Sequence, residues 1–241
     1  MKKKFGLYEI WNEVLTVLSD IAPVYEDINK LISFGKDINW RYEGISKNIK
    51  SDHVVLDAGC GPGTMSNIAL KLYPDLNLHL IDPLDTMIEN AQNRFVNSNC
   101  IINKGRFEKI EYPDEFFDVV MCGFSLRDAY DLELSLKEIN RVLKNDGKFL
   151  IIDLGKPNNV FVQSLFKLYW KYIVPFLAIL KLGKKGLQYS ILYKSYKKHP
   201  TNNQMKSLLS ELFVDVNIIE KILGGSVIIT SKKSNLSKRK K

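Results

Sequence analysis

The chain has 241 residues, 45% of them hydrophobic, which is enough to bury one substantial core, and its aromatic and charged fractions are those of a folded protein. Its net charge is +8, but Lys2, Lys3, Lys4, Lys232, Lys233, Lys238, Arg239, Lys240 and Lys241 alone carry nine positive charges, so the remainder stands near neutrality at −1. Basicity gathered at the two ends reads as solvated tails that attract phosphate or anionic headgroups, the second over 232–241, and speaks against a shaped nucleic-acid groove. Cys60, Cys100 and Cys122 are odd in number, widely spaced and not in CxxC pairs. Neither a disulfide framework nor a zinc site is expected from them, and a reducing, cytoplasmic compartment is.

In chain order, the start runs from lysines into Phe5-Gly6-Leu7-Tyr8-Glu9 without a long apolar core or a small-residue cleavage site, so no signal peptide is expected. The middle alternates β-branched runs with helix-period segments, the pattern of a doubly wound parallel sheet, an α/β fold. Strands are predicted over 53–57, 76–82, 100–103, 117–123 and 148–153, with crossover helices over 63–72, 83–97 and 132–144. The stretch 161–182 is the most apolar, but Gln163, Lys167, Lys171 and Pro175 leave it short of the roughly 20 apolar residues a membrane span needs. A polar helix around 202–212 follows. Two more strands, 214–222 and 226–230, flank Gly224-Gly225 and make a hairpin, so the last of seven strands runs antiparallel to its neighbour.

The first functional signal is the strand Val54-Val55-Leu56 running into Asp57-Ala58-Gly59-Cys60-Gly61-Pro62-Gly63-Thr64. Glycines let the backbone turn sharply and approach a ligand, and the helix that follows presents free amides and a positive dipole end. Such a turn can hold a dinucleotide pyrophosphate or the carboxylate of a methionine moiety. About twenty positions on, Leu80-Ile81-Asp82 ends a strand on a carboxylate able to accept from both hydroxyls of a ribose, which serves either cofactor equally. What separates them is the whole block together with an antiparallel C-terminal hairpin where a dehydrogenase would keep winding.

At this point the residues resemble the ubiquinone/menaquinone biosynthesis C-methyltransferases of the UbiE/COQ5 (MenG) type, class I enzymes that use S-adenosylmethionine. The resemblance covers most of the chain. Its N-terminal part is Ile21-Ala22-Pro23-Val24-Tyr25-Glu26-Asp27-Ile28-Asn29, then Ser33-Phe34-Gly35 and Trp40-Arg41, which in that family form a lid beside the quinone site. Its middle part is Leu126-Arg127-Asp128, Glu138-Ile139-Asn140-Arg141-Val142-Leu143-Lys144, Gly147 and Asp153-Leu154-Gly155-Lys156-Pro157, and its last part is Tyr189, Ser195 and His199-Pro200. The resemblance implies one methyltransferase domain over 1–231, with a helical lid over 1–50 and a helical insertion over 158–200 above the substrate. It also implies S-adenosylmethionine as cofactor, touched by Gly59, Gly61, Gly63, Asp82, Met87 and the segment 105–107, with Asp57 supporting the methionine amino group. Arg106 and Phe107 fall in that segment. Arg106 stands where the family usually has a short acidic or amide residue; arginine accepts no hydrogen bond, so adenine recognition falls to a backbone carbonyl or Glu108.

The implied chemistry is attack of a quinol ring carbon on a sulfonium methyl, for which positioning supplies much of the rate and an ionised neighbouring hydroxyl supplies the nucleophilicity. Arg127, permanently cationic, is cast as stabiliser of the phenolate. Asp128, which replaces the family's usual asparagine, is cast as base or as a helix N-cap. Tyr25, Trp40, Tyr189 and His199 are the substrate-side candidates, with Tyr25 preferred and His199 set aside. No metal is expected. Phe161, Leu165, Leu168, Tyr169, Tyr172, Ile173 and Phe176, edged by Lys167, Lys171, Lys181, Lys184 and Lys185, suit a helix at the membrane interface, giving access to a polyprenyl quinol. A homodimer interface, or burial over the sheet, is the alternative cover for that face. Two other functions share the cofactor site: methylation of another small molecule or lipid, and a non-catalytic homologue that only binds cofactor or lipid. An RNA methyltransferase is disfavoured, for want of an Asn-Pro-Pro-aromatic or paired-cysteine motif.

Overall fold

Five strands pair in parallel: β1 (Val54–Ala58), β2 (Asn77–Asp82), β4 (Phe117–Gly123) and β5 (Leu143–Leu154), whose apolar runs are largely buried, and the exposed edge strand β3 (Ile101–Lys104). The computed structural model describes residues 4–234. With β6 (Phe213–Lys221) and β7 (Ser226–Lys233) the sheet has the order β3-β2-β1-β4-β5-β7-β6, and β7 runs antiparallel to both β5 and β6. Strand order reverses between β1 and β4, so a crevice opens at their C-terminal ends, the place where ligands bind in open α/β sheets.

The helices are α1 (Trp11–Ile21), α2 (Tyr25–Ile32), α3 (Lys36–Asn48), α4 (Thr64–Leu72), α5 (Asp85–Arg94), α6 (Leu132–Val142), α7 (Val160–Leu168), α8 (Val174–Leu182), α9 (Ile191–Lys198) and α10 (Asn202–Leu212). Alternation along β5 divides the core: Leu150 and Ile152 join a cluster with Trp40 and Ile45 of α3 and Met65 and Ala69 of α4, while Phe149 and Ile151 join one with Leu136 of α6 and Leu209 of α10. Thr201 and Gln204 close a reciprocal capping box at the start of α10.

Three expectations shift by a few residues, each for a local reason. The apolar stretch 161–182 is not one helix: α7 passes through a π-helical turn, Tyr169–Ile173, into α8. Pro175 can donate nothing to a carbonyl one turn back and its ring crowds that turn, so the helix widens just before it. The expected tail at 232–241 begins later. Lys232 and Lys233 belong to β7, Lys233 donating from Nζ to the Leu143 carbonyl at 2.8 Å and Lys232 pairing with Asp215 at 2.8 Å; residues 235–241 and 1–3 of the expected tails lie outside the described residues. The hairpin turn starts earlier than its glycines: Ile222 (φ 48°) and Leu223 (φ 53°) both take left-handed backbone, and both are exposed. Gly225 is needed for a different reason, since a Cβ there would lie 2.0 Å from the Phe166 ring of α7. The 158–200 segment therefore sits directly on the hairpin.

Candidate active site

The chain leaves β1 through three left-handed glycines, Gly59 (φ 65°), Gly61 (φ 55°) and Gly63 (φ 82°), and enters α4 at Thr64. A Cβ on Gly63 would strike the Phe95 ring at 2.4 Å and one on Gly59 would meet Ser125 at 2.8 Å and Phe107 at 2.9 Å, whereas one on Gly61 would meet nothing within 4 Å. Gly63 thus packs the turn down, and the surface over Gly61 is open to a ligand. Asp57 lies buried beneath, accepting from the Ser66 amide at 3.2 Å and its hydroxyl at 2.6 Å; burial pushes its pKa up to about 6 against the pull of Ser66 and Arg41. At the end of β2, Asp82 accepts from the amides of Gly61 at 2.9 Å and Leu84 at 3.0 Å, and burial pushes it, too, up to about 6. A carboxylate has about four acceptor positions, and two are used.

Around this turn runs a cleft lined by Tyr25, Gly59, Gly61, Asp82, Met87, Arg106, Phe107, Glu108, Phe124, Ser125 and Asp128, and roofed by Trp11, Leu15 and Leu18 of α1. Nearly all the expected cofactor residues meet there; Asp57 and Gly63 support it from outside. Glu108 uses Oε1 to accept from the Asp131 amide and the Ser135 hydroxyl at the start of α6, which leaves Oε2 for other partners. The roof and Ser125 were not expected. Apolar residues at positions 11, 15 and 18 carry a helical spacing that points to one face, and Ser125 follows directly on a strand's C-terminal end.

Beside the cleft lies a second cavity of about 320 Å³, lined almost wholly by apolar groups from three regions. The lid gives Ile32, Phe34 and Trp40; the insertion gives Leu165, Phe166 and Tyr169; the hairpin gives Ile222 and Leu223. Phe124 lines both spaces, and the short 3-10 turn Leu126–Asp128 divides its two charged residues between them, with Arg127 on the apolar cavity and Asp128 on the cleft. Phe124 holds this position with left-handed backbone (φ 60°), its amide donating to the Ile152 carbonyl at 2.7 Å.

Arg127 is buried and fixed from below by Asp153, which accepts from its Nη1 at 2.9 Å and its backbone amide at 3.2 Å. Burial opposes the charge, but Asp128 and Asp153 outweigh it and hold the guanidinium above its ordinary range. Asp128, with Oδ2 3.6 Å from Arg127 Nη2 and Oδ1 without a partner, is pushed up to about 6 by burial despite that cation and the Ser195 hydroxyl. Tyr25, on the cleft, lies within electrostatic reach of Arg127, Arg41 and Tyr189. Tyr189 itself is 1% exposed, packed in the core and on neither cavity wall. His199 is buried and pushed down to about 4, chiefly by burial, which keeps it neutral.

The chain matches the model of the ubiE/COQ5 methyltransferase family over residues 8–232. It is 29% identical over 240 residues to the ubiquinone/menaquinone biosynthesis C-methyltransferase UbiE of Rickettsia akari (strain Hartford), covering 95% of this chain and 93% of that one. It is 30% identical over 223 residues to the demethylmenaquinone methyltransferase of Lactobacillus johnsonii, covering 90% and 91%. In fold it is similar to a SAM-dependent methyltransferase of Thermotoga maritima, with a TM-score of 0.64 at 17% identity over 91% of this chain and 99% of that one. A turn whose middle glycine is open to a ligand, a strand-end carboxylate with acceptor positions to spare and a roofed cleft suit S-adenosylmethionine, the cofactor of these enzymes. The chain belongs to the ubiE/COQ5 methyltransferase family.

Proposed function

We propose that the protein methylates a ring carbon of a demethylated quinol bearing a polyprenyl tail, a step of respiratory quinone synthesis. The carrying observation is the pair of spaces that meet at Phe124, one built for the cofactor and one apolar, with Arg127 and Asp128 at the seam. The cofactor, when bound, supplies an electrophilic methyl. The chain's own residues do the rest: the apolar walls take a ring and the start of its tail, Asp128 takes the proton of a ring hydroxyl, and Arg127 stabilises the resulting phenolate. The relatives' printed names support a quinone-type acceptor. The test is mass spectrometry of mixtures of the protein, S-adenosylmethionine and reduced, demethylated naphthoquinol or benzoquinol carrying a short isoprenoid tail. One nucleus should gain a methyl, with a lower KM than its tailless analogue. No gain on either nucleus, or gain on an unrelated amine or phenol alone, would overturn the reading.

Residues 1–50 act as the lid in this reading. Trp11, Leu15 and Leu18 of α1 lie across the cleft, so α1 is the element that covers a bound cofactor. The pairs that tie the lid to the insertion, Glu9 with Lys198, Glu13 with Lys194 and Asp27 with Lys181, are solvent-exposed and individually weak.

The same reading places the insertion on an anionic bilayer. Residues 154–210 contain ten lysines and no Asp or Glu, a concentration of one sign of charge in a chain of net +8. Phe161, Leu168, Tyr172 and Phe176 are exposed along it, and Phe34, Leu165, Ile222 and Leu223 are at once exposed and on the walls of the apolar cavity. Among the described residues no helix is long and apolar enough to cross a membrane. Apolar residues ringed by lysine are the composition of a face that lies in the headgroup layer. Flotation with phosphatidylglycerol vesicles should carry the protein, release it in high salt and fail with phosphatidylcholine. Failure on anionic vesicles, or a dimer that buries Leu165 and Phe176 in solution, refutes the placement.

A further inference from the structure

Among the described residues, Arg41 is a buried cation without a hydrogen-bonded anion. It is 4% exposed, on α3, and its Nε has no hydrogen-bond partner among the described residues; the closest carboxylate oxygen, Asp37 Oδ2, stands 3.8 Å from Nε, beyond hydrogen-bond distance, while Asp37 Oδ1 accepts from the Ser33 hydroxyl at 2.7 Å. Its other acidic neighbours are not within ion-pair distance: Asp57 accepts from Ser66 on Oδ2, and Glu26 accepts from Thr64 and Arg94. Burying a guanidinium is unfavourable unless its donors are met, so such a group calls for an anion that arrives from outside.

Its place says which anion. The guanidinium lies over the Phe124 ring at 4.8 Å, and Nη1 would be 2.5 Å from a Cβ on Gly123, so it sits at the C-terminal end of β4. There it is beside β1, within reach of the charge on Asp57 just before the glycine turn, and close to Tyr25 on the cleft wall. Met65 of α4 crowds the same Gly123, which puts the guanidinium next to the helix that the turn feeds. Arg41 itself is on neither cavity wall; it stands directly behind Phe124, and near Tyr25, which do line the cleft, at the side where β1 and β4 end and away from Arg106 and Glu108.

We propose that Arg41 binds the α-carboxylate of the cofactor, a role on the cofactor side where its neighbour Trp40 faces the acceptor cavity. A planar fork of donors matches a carboxylate in geometry as well as charge. Arg41 stands on α3, whose Trp40 and Ile45 are packed in the core against α4 and β5, so the fork is held in place before the carboxylate arrives. The inference rests on S-adenosylmethionine being the cofactor. Methylthioadenosine, which keeps the nucleoside and the sulfur but lacks the amino-acid end, separates the two claims.

Calorimetric titration of Arg41→Met with S-adenosylhomocysteine should show affinity weakened by about 10- to 100-fold, the range for a lost charge-assisted hydrogen bond, with methylthioadenosine bound as by the unaltered protein. Arg41→Lys, which restores the charge without the fork, should recover part of the loss for S-adenosylhomocysteine alone. Equal weakening of both ligands would assign Arg41 a purely structural role, and no weakening of either would leave it no role in binding; each result overturns the proposal. If Arg41→Met does not fold, the lysine variant decides by itself: an unchanged ratio of the two affinities overturns it. Failure of the unaltered protein to bind either ligand would instead count against the cofactor.

Discussion

Asp82→Ala should weaken S-adenosylmethionine binding by about 10² to 10⁴-fold, the largest loss expected from any single change on the cofactor side, because hydrogen bonds to a charged group contribute about 1.5–3 kcal/mol each and two are removed. The carboxylate is held at the end of β2 by the amides of Gly61 and Leu84, one on each oxygen, so both oxygens stay aimed while their remaining lone pairs face the cleft. Burial raises its pKa to about 6. A protonated carboxyl accepts fewer hydrogen bonds, so affinity in the unaltered protein should fall as pH drops through about 6, and Asp82→Ala should show no such slope. Asp82→Asn, which keeps one carbonyl oxygen for the turn, should lie between the two. Calorimetry across that pH range, with melting temperatures to confirm folding, checks all three. A flat pH dependence in the unaltered protein, with Asp82→Ala binding normally, would remove the carboxylate from the site.

Much of this arrangement is legible along the chain, because the cofactor cleft is assembled from strand ends. Gly59, Gly61 and Asp82 announce themselves through local chemistry, a left-handed turn and a carboxylate closing an apolar run, and such signals need no knowledge of the partner strand. The hairpin at Gly224-Gly225 is legible for the same reason, although Ile222 and Leu223 take left-handed backbone that nothing in their side chains favours; the close packing of Phe166 on Gly225 is the tertiary contact beside them. Other features depend on pairings remote in sequence. That Arg127 and Asp128, adjacent in the chain, open onto different cavities follows from a single tight turn packed against Asp153, a residue whose part in holding Arg127 no local pattern displays. The π-helical widening before Pro175 is a compromise of helix geometry, which periodicity does not register. Arg41 is the plainest case. Its chemical meaning lies in what its neighbours are doing instead, with Asp37, Asp57 and Glu26 each bonded elsewhere, and only the folded structure displays that.

Replacing Asp128 by Asn should lower kcat by about 10² to 10⁴-fold while leaving the protein at least as stable, and replacing Arg127 by Met should lower both. The difference follows from what each side chain does in the fold. Asp128 has a pKa raised from the ordinary 3.8 to about 6, chiefly by burial. A carboxyl raised in this way disfavours the fold once ionised; the penalty is fully present above about pH 6 and fades as pH falls towards 3.8, so a neutral amide relieves it at neutral pH. Arg127, by contrast, neutralises Asp153, and its removal leaves a carboxylate that is 2% exposed without its cation, a change expected to lower stability by about 3–5 kcal/mol. Activity separates the roles further. With Asp128 as base, kcat should rise with pH through about 6 to a plateau, and this limb should be missing in Asp128→Asn. Arg127 lowers the pKa of Asp128, so the residual activity of Arg127→Met should show the same limb displaced upward. Rate profiles and melting curves of the two variants measure both effects. An acidic limb that persists unmoved in Asp128→Asn would assign the proton transfer to another group and leave Asp128 only as a neighbour of Arg127, since the expected helix-capping role belongs to Asp131, which accepts from the Leu134 amide.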